Sequence, residues 1–316
     1  MIANTCLRLI VTALLCTSLK VAAVVQTKTA AEAVEPATKI PQRIIALAPH
    51  LVENLYSIGA GERIVGSSDY ADYPPAALKI PRVSHYSGVD IEKILTLKPD
   101  LILAWRSGTP AADLARMQQL GLPVVVTDIK DLTELAHHIE LLGELTGTSA
   151  QAGPLARQYL LQLQQLKQQY QQAKPVPTFY ELWGNPLTTA ANQAWPAQQL
   201  KLCGASNVFA DAVGDYPQIG LEQVLVRNPE LIIQPISANE KRQLVNWQQW
   251  PAIKAVQQQQ IIQPNADVLH RTTLRMLPGL TQLCQQIDQV RQRQAFIRRL
   301  DSTRQAGAVQ RLASNV

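Results

Sequence analysis

The side chains with the most chemistry to offer stand in short loops, and most of them are aromatic. "SSDYADYPP" (67–75) presents Tyr70 and Tyr73 ahead of a Pro74-Pro75 pair that stiffens the loop. Trp105-Arg106 follows "LILA", and Trp183-Gly184-Asn185 follows "TFYEL". Tyr86 stands in "SHYSG", Tyr216 in "GDYPQIG", and a mixed segment, Asp267-Val268-Leu269-His270-Arg271, follows "IIQPNA". Only 5% of the residues are aromatic, so their concentration in loops is informative. Rings edged by a few polar groups suit a large, flat, mostly apolar ligand held by stacking. Catalysis has no comparable support, because there is no G-x-S-x-G elbow, no P-loop and no G-x-G-x-x-G after a strand. His137 and His138 fall mid-helix, where surface histidines are commonplace. His50 and His270 can both face a cleft, but two histidines without a carboxylate partner make a weak metal site. The residues therefore predict binding without catalytic residues, metal or cofactor.

These loops need strands to position them. "RIIALAP", "RIVGSS", "LILAW" and "PVVVTD" are short apolar runs with helical segments between them, the pattern of buried parallel strands. "DLTELAHHIELLGELTG" reads as a helix with Asp131 as cap and Gly147 as stop. The Gln-rich stretch "SAQAGPLARQYLLQLQQLKQQYQQAKP" carries Leu155, Leu160, Leu163 and Leu166 at near-helical spacing, which favours one long helix over low-complexity disorder. Past it the α/β pattern resumes in "TFYELW", "LIIQP" and "IIQP". The most informative signal is internal: "IEKILTLKPDLIL" (91–103) and "LEQVLVRNPELII" (221–233) match almost position for position. Two lobes carrying one helix-to-strand unit imply pseudo-symmetric α/β domains. In such sheets ligands bind beyond the carboxyl ends of the strands, where the ring-bearing loops fall.

At 316 residues the chain is long enough for two domains. Arg8 and the apolar runs Leu9 to Leu15 and Leu19 to Val25 read as an export signal, residues 1–23, with cleavage as late as 31. A membrane anchor is the rival reading, and Lys20 interrupts the run it would need. A linker (24–41), a first lobe (42–148), a linker helix (149–174), a second lobe (175–290) and a basic tail (291–316) follow. The net charge of +5 owes much to that tail, whose arginines suit a solvated helix face better than a nucleic-acid surface. With Cys6 and Cys16 in the signal, Cys203 and Cys284 remain. Two buried thiols are one reading; an oxidising compartment favours a disulfide tying a helix end near Leu202 to the C-terminal helix.

"APHLVENLYSIGAGERIVGSSDYADYPP" with "VSHYSGVDIEKILTLKPDLILAW" resembles the helix-linked class of periplasmic solute-binding proteins, and within it the cobalamin (vitamin B12) binders of ABC importers. The likeness runs from about Arg43 to Ile287. It implies two Rossmann-like lobes with parallel sheets joined by one long linker helix. It further implies cobalamin as transported ligand, a periplasmic monomer, an inner-membrane ABC importer as partner, and no enzymatic activity. Tyr70 and Trp105 match cleft residues of the family, Asp267 to Arg271 match a segment contacting the corrin side chains, and Cys203 and Cys284 match its disulfide. Tyr86 and Tyr216 stand where relatives have tryptophan, and Leu182 or Trp183 where they have phenylalanine. Glu92 and Glu222, one per repeat, match importer-docking acids; the alternative is that both merely complement helix N-termini. Ferric siderophore or haem binding on the same fold is the competing function, ahead of a periplasmic enzyme and of a sensor or adaptor without a small ligand. Anionic siderophores call for converging basic residues, and Arg106, Arg271 and Arg275 are the candidates.

Overall fold

A computed structural model of the chain describes residues 39–85, 87–237 and 243–313, with side chains described to residue 299. The segment read as an export signal, and Tyr86, lie outside the described residues. β1 (Ile44–Ala46) is buried at all three positions, and α1 (Pro49–Ser57) follows it with proline at its first turn, where the missing N–H is no loss. β2 (Ile64–Ser68), β3 (Arg82–His85), β4 (Gly88–Val89), α2 (Ile91–Leu97), β5 (Leu101–Trp105), α3 (Ala111–Gln119), β6 (Val124–Thr127) and α4 (Glu134–Thr146) complete the first lobe. Its strand order is β4-β3-β2-β1-β5-β6, parallel throughout except for the β3–β4 hairpin. The chain winds outward from β1 to β3 and then crosses back to β5. The crevice at this switch lies between the carboxyl ends of β1 and β5.

α5 (Ser149–Tyr170) is the long helix expected of the Gln-rich stretch, and its 22 residues reach about 33 Å. Its buried residues are Ala152, Ala156, Tyr159, Leu163, Leu166 and Tyr170, a stripe alternating steps of four and three. Tyr159 also donates its hydroxyl to the Leu132 carbonyl at 2.7 Å, tying the helix to the segment that leads into α4.

β7 (Val176–Gly184), β8 (Leu187–Thr189), α6 (Trp195–Leu202), β9 (Ala205–Asn207), α7 (Leu221–Arg227), β10 (Leu231–Ile233), α8 (Lys254–Gln257), β11 (Ile261–Ile262) and α9 (Ala266–Leu269) form the second lobe. α10 (Met276–Ala313) begins there and spans the stretch read as a basic tail as far as Ala313. β7 pairs in parallel with β9 and β10 through its first half and antiparallel with β8 through its second. β10 pairs in parallel with β11.

The internal repeat is structural as well as sequential. α2 and α7 each end on a left-handed residue, Lys98 (φ 46°) and Asn228 (φ 44°), one position before the matched prolines. Asp100 N–H donates to the Arg43 carbonyl, and Glu230 N–H donates to the Pro177 carbonyl. One step on, Ile102 and Ile232 donate to the carbonyls of Pro123 and Gln260. The same turn thus feeds the same kind of parallel ladder in each lobe.

A single apolar core runs from Ile44, Leu51 and Leu135 of the first lobe through α5 to Leu200, Leu231, Leu280 and Leu283 of the second. Each lobe adds a smaller cluster on its other face, around Ile45 and Ile102 in the first and around Phe179 and Trp247 in the second. Continuity of the main core across α5 makes a hinge through this region costly, since moving the lobes apart would expose apolar surface at roughly 25 cal/mol per Å². One sequence reading needs correction here. His138 is buried while its neighbour His137 is exposed, because residue 138 shares the helix face of Leu135 and Leu142.

Candidate functional site

Tyr70 stands two residues beyond β2 and holds a left-handed backbone (φ 60°), uncommon for a residue other than glycine and sustained here by a tied loop. The ties are visible: Asp69 N–H donates to the Ser84 carbonyl at 2.8 Å, Asp72 N–H to the Tyr70 carbonyl at 3.0 Å, and Arg82 Nη2 to the Ala71 carbonyl at 2.8 Å. The Tyr70 ring stays 69% exposed. Trp105 ends β5, with its indole Nε1 donating to Asp128 Oδ1 at 3.2 Å and its ring 5.3 Å edge-on from His50. Gly108 lets the following turn fold over the indole, since a Cβ there would sit 2.0 Å from the ring. The Trp105 ring and the backbone that carries Tyr70 are therefore held in place before any ligand arrives.

In the second lobe Trp183 lies near the end of β7, 39% exposed, and Tyr216, in the loop beyond β9, is 51% exposed. The buried Glu181 carboxylate pins the chain beside Trp183. It accepts from Val245 N–H (2.7 Å), Trp247 Nε1 (2.6 Å) and Gln234 Nε2 (2.7 Å). Burial pushes this carboxyl up, and the three donors pull against that shift.

The 267–271 segment divides its duties. Asp267 accepts from Ser237 Oγ at 2.8 and 2.9 Å. Val268 is half-buried and packs against Gly279, where a Cβ would come within 2.4 Å of its methyl. Leu269 is in the core, and its carbonyl receives Trp195 Nε1 (3.0 Å) and Gln199 Nε2 (2.8 Å). His270 Nε2 is 2.8 Å from the Tyr180 hydroxyl. Leu269 thus contributes frame rather than surface, while Arg271 turns toward the other lobe.

Arg271 is the centre of a cluster that the sequence did not reveal. Its Nη1 reaches Glu53 Oε1 at 2.6 Å and Asp72 Oδ1 at 2.7 Å, its Nη2 donates to the Tyr70 carbonyl at 3.2 Å, and Asp267 Oδ1 stands 3.9 Å away. Arg275 holds the same Glu53 through Nε (3.1 Å) and Nη2 (2.9 Å), with its guanidinium 3.9 Å over the Tyr73 ring. Asn54 Nδ2 adds a bond to the Thr272 carbonyl at 3.0 Å. Glu53, Asn54, Tyr70, Asp72 and Tyr73 belong to the first lobe, and the arginines to the second. Glu53 is only 2% exposed, against 13% for Arg271 and 28% for Arg275. The available signal was an acid lodged in the apolar helix "HLVENL", where burial requires a partner.

Beneath these groups lie His50 and His138, ring centroids 6.5 Å apart. Burial, then His138 and Arg271, lowers His50 to about 3, and burial lowers His138 to about 4. Both are neutral at pH 7. Among the described residues no three His, Cys, Asp or Glu side chains gather to hold a metal ion.

Two further predicted sites are located. Glu92 and Glu222 are exposed at the second positions of α2 and α7, equivalent places in the two lobes. Cys203, at the end of α6, and Cys284, in α10, form a buried disulfide with Cα atoms 4.7 Å apart.

Comparison with known proteins agrees with this architecture. The model of the periplasmic binding protein family matches residues 44–267. A vitamin B12-binding protein of Vibrio cholerae serotype O1 is 41% identical over 244 residues, covering 77% of this chain and 88% of its own length. One from Photorhabdus laumondii is 34% identical, covering 78% and 88%. The crystal structure of the periplasmic vitamin B12 binding protein BtuF of Vibrio cholerae superposes with a TM-score of 0.72 at 40% identity, covering 79% of this chain and 98% of that one. The periplasmic heme-binding protein RhuT of Roseiflexus sp. RS-1 shares the fold at a TM-score of 0.69 and 19% identity, covering 79% and 99%. With its family model spanning both lobes and these relatives alongside, this chain acts in the periplasm and belongs to the periplasmic binding protein family, a family of binding proteins rather than an enzyme class.

Proposed function

We propose that the protein captures cobalamin between its two lobes and delivers it to an inner-membrane ABC importer, as a monomer and without turnover. The observation that supports this reading is that rings at or beyond strand ends in both lobes keep exposed surface, Tyr70 in the first and Trp183 and Tyr216 in the second, with the Trp105 indole fixed by Asp128. The vitamin B12-binding relatives supply the ligand class. A corrin is large, flat and edged with amides, so it needs stacking surface and hydrogen-bond groups more than charge. A ring already held in place, as Trp105 is, loses little freedom on binding. Purified protein mixed with cyanocobalamin and desalted should retain the corrin absorption at one equivalent; a colourless product rules the cargo out. Tyr70→Ala and Trp105→Ala should each cost about 2 kcal/mol, some thirtyfold in calorimetric affinity. Tyr70 is the cleaner test, because its exposed ring contributes little to the fold. Unchanged affinity in both variants would put the ligand elsewhere.

Glu92 and Glu222 are the importer contacts in this reading. Each acid stands in the first turn of its helix, where complementing the N-terminus is worth about 0.3–1 kcal/mol. Each lobe presents its acid at the same place, as a two-fold symmetric permease with basic pockets requires. Glu92→Lys with Glu222→Lys should abolish importer association and uptake while leaving the cobalamin isotherm near wild type. A double variant that still forms the complex at physiological salt leaves only the capping role.

A further inference from the structure

We infer that Glu53 and Asp72 determine the charge of ligand that the cleft accepts: by occupying both arginines on its floor, they exclude anions. The inference rests on the cleft reading above. Arg271 and Arg275 are the groups that an anionic ligand would need, since guanidinium forks are the natural partners of carboxylates. Here the forks are already engaged. Arg271 gives Nη1 to Glu53 and Asp72 and Nη2 to the Tyr70 carbonyl, while Arg275 gives Nε and Nη2 to Glu53. The Tyr73 ring covers one face of Arg275. With Asp267 3.9 Å from Arg271, two cations meet three carboxylates, and one negative charge is left in excess.

The arrangement is built into the fold. Glu53 projects from the second turn of α1, the helix that follows β1, and Asp72 from the loop beyond β2. Burial holds Glu53 in its pairing with both arginines, so a ligand carboxylate meets the cluster's excess negative charge and no open guanidinium pair. An amide carries no such penalty. His50 and His138, the titratable neighbours below, are neutral and add no positive charge. Arg106, exposed just past β5, is a single cation at the rim and cannot form the converging set by itself. One scaffold can thus serve ligands of opposite character according to whether its floor arginines are engaged.

The test is a ratio of affinities, because a merely structural defect would weaken matched ligands alike. Wild type, Asp72→Asn and Glu53→Gln are titrated with cyanocobalamin and with its monocarboxylic acid, in which one propionamide is hydrolysed. Wild type should favour the amide by about tenfold, and each variant should reduce that preference to about threefold or less. Asp72→Asn carries the test if Glu53→Gln fails to fold. The same ratio in wild type and variant overturns the inference. If wild type takes up no cyanocobalamin, the cargo reading fails separately, and the ratio is taken with haemin and its dimethyl ester. There the variants should gain haemin affinity over the ester, and equal change for both, or no haemin binding by any variant, overturns the inference.

Discussion

Replacing Glu53 with alanine is expected to lower the free energy of unfolding by about 3 kcal/mol. The carboxylate is 2% exposed and is shared by two arginines of the opposite lobe. Its removal leaves Arg275 with the Tyr73 ring and Arg271 with Asp72, the Tyr70 carbonyl and the more distant Asp267, so two cations that gave up hydration lose the carboxylate they share. The figure belongs at the low end of the range for a broken buried pair, because Arg275 is 28% exposed and can regain water. Arg275→Ala should therefore cost far less, about 1 kcal/mol or below. Denaturant titration of the two variants checks both the size and the asymmetry. Near-equal, small losses would mean that the cluster is only a surface pair carried inward.

Loss of the disulfide should cost more. Cys203 and Cys284 are 81 residues apart, and closing a loop of that length stabilises by about 4.5 kcal/mol in the chain-entropy model. The effect acts mainly on the unfolded chain, so the folded arrangement should persist when the bond is cut. Arg291 helps to keep it, donating Nη2 to the Cys203 carbonyl at 3.0 Å and Nε to the Lys174 carbonyl at 2.7 Å. Cys203→Ala with Cys284→Ala is the better variant, because both sites are fully buried and serine would add an unpaired hydroxyl. The expected result is a much lower denaturation midpoint with ligand binding retained by the folded fraction. A loss below about 1 kcal/mol would show that the unfolded chain already brings these segments together.

The sequence by itself determined the elements with strong local period and the loops that follow them. The apolar runs at Ile44 and Leu101 became parallel strands because burial on both faces leaves an unbroken hydrophobic signature, and the run at Val124 became the half-buried edge strand beside them. The repeat at 91–103 and 221–233 gave the two lobes, and the Leu-bearing Gln-rich stretch gave α5. Tyr70 and Tyr216 were legible as loop aromatics, whereas Trp105 and Trp183, read as loop residues, close the strands β5 and β7, because strand pairing runs further than the apolar run that signals it. The strands β3, β4, β8 and β9 were not, being two to four residues long with mixed polarity, where pairing partners rather than composition decide. The Glu53–Arg271 cluster was also invisible, and for a plain reason. Its partners are 218 residues apart, and nothing in a linear pattern pairs a given acid with a given arginine. Only the packing of the lobes about α5 brings them within hydrogen-bond reach, and burial then makes the pairing obligatory.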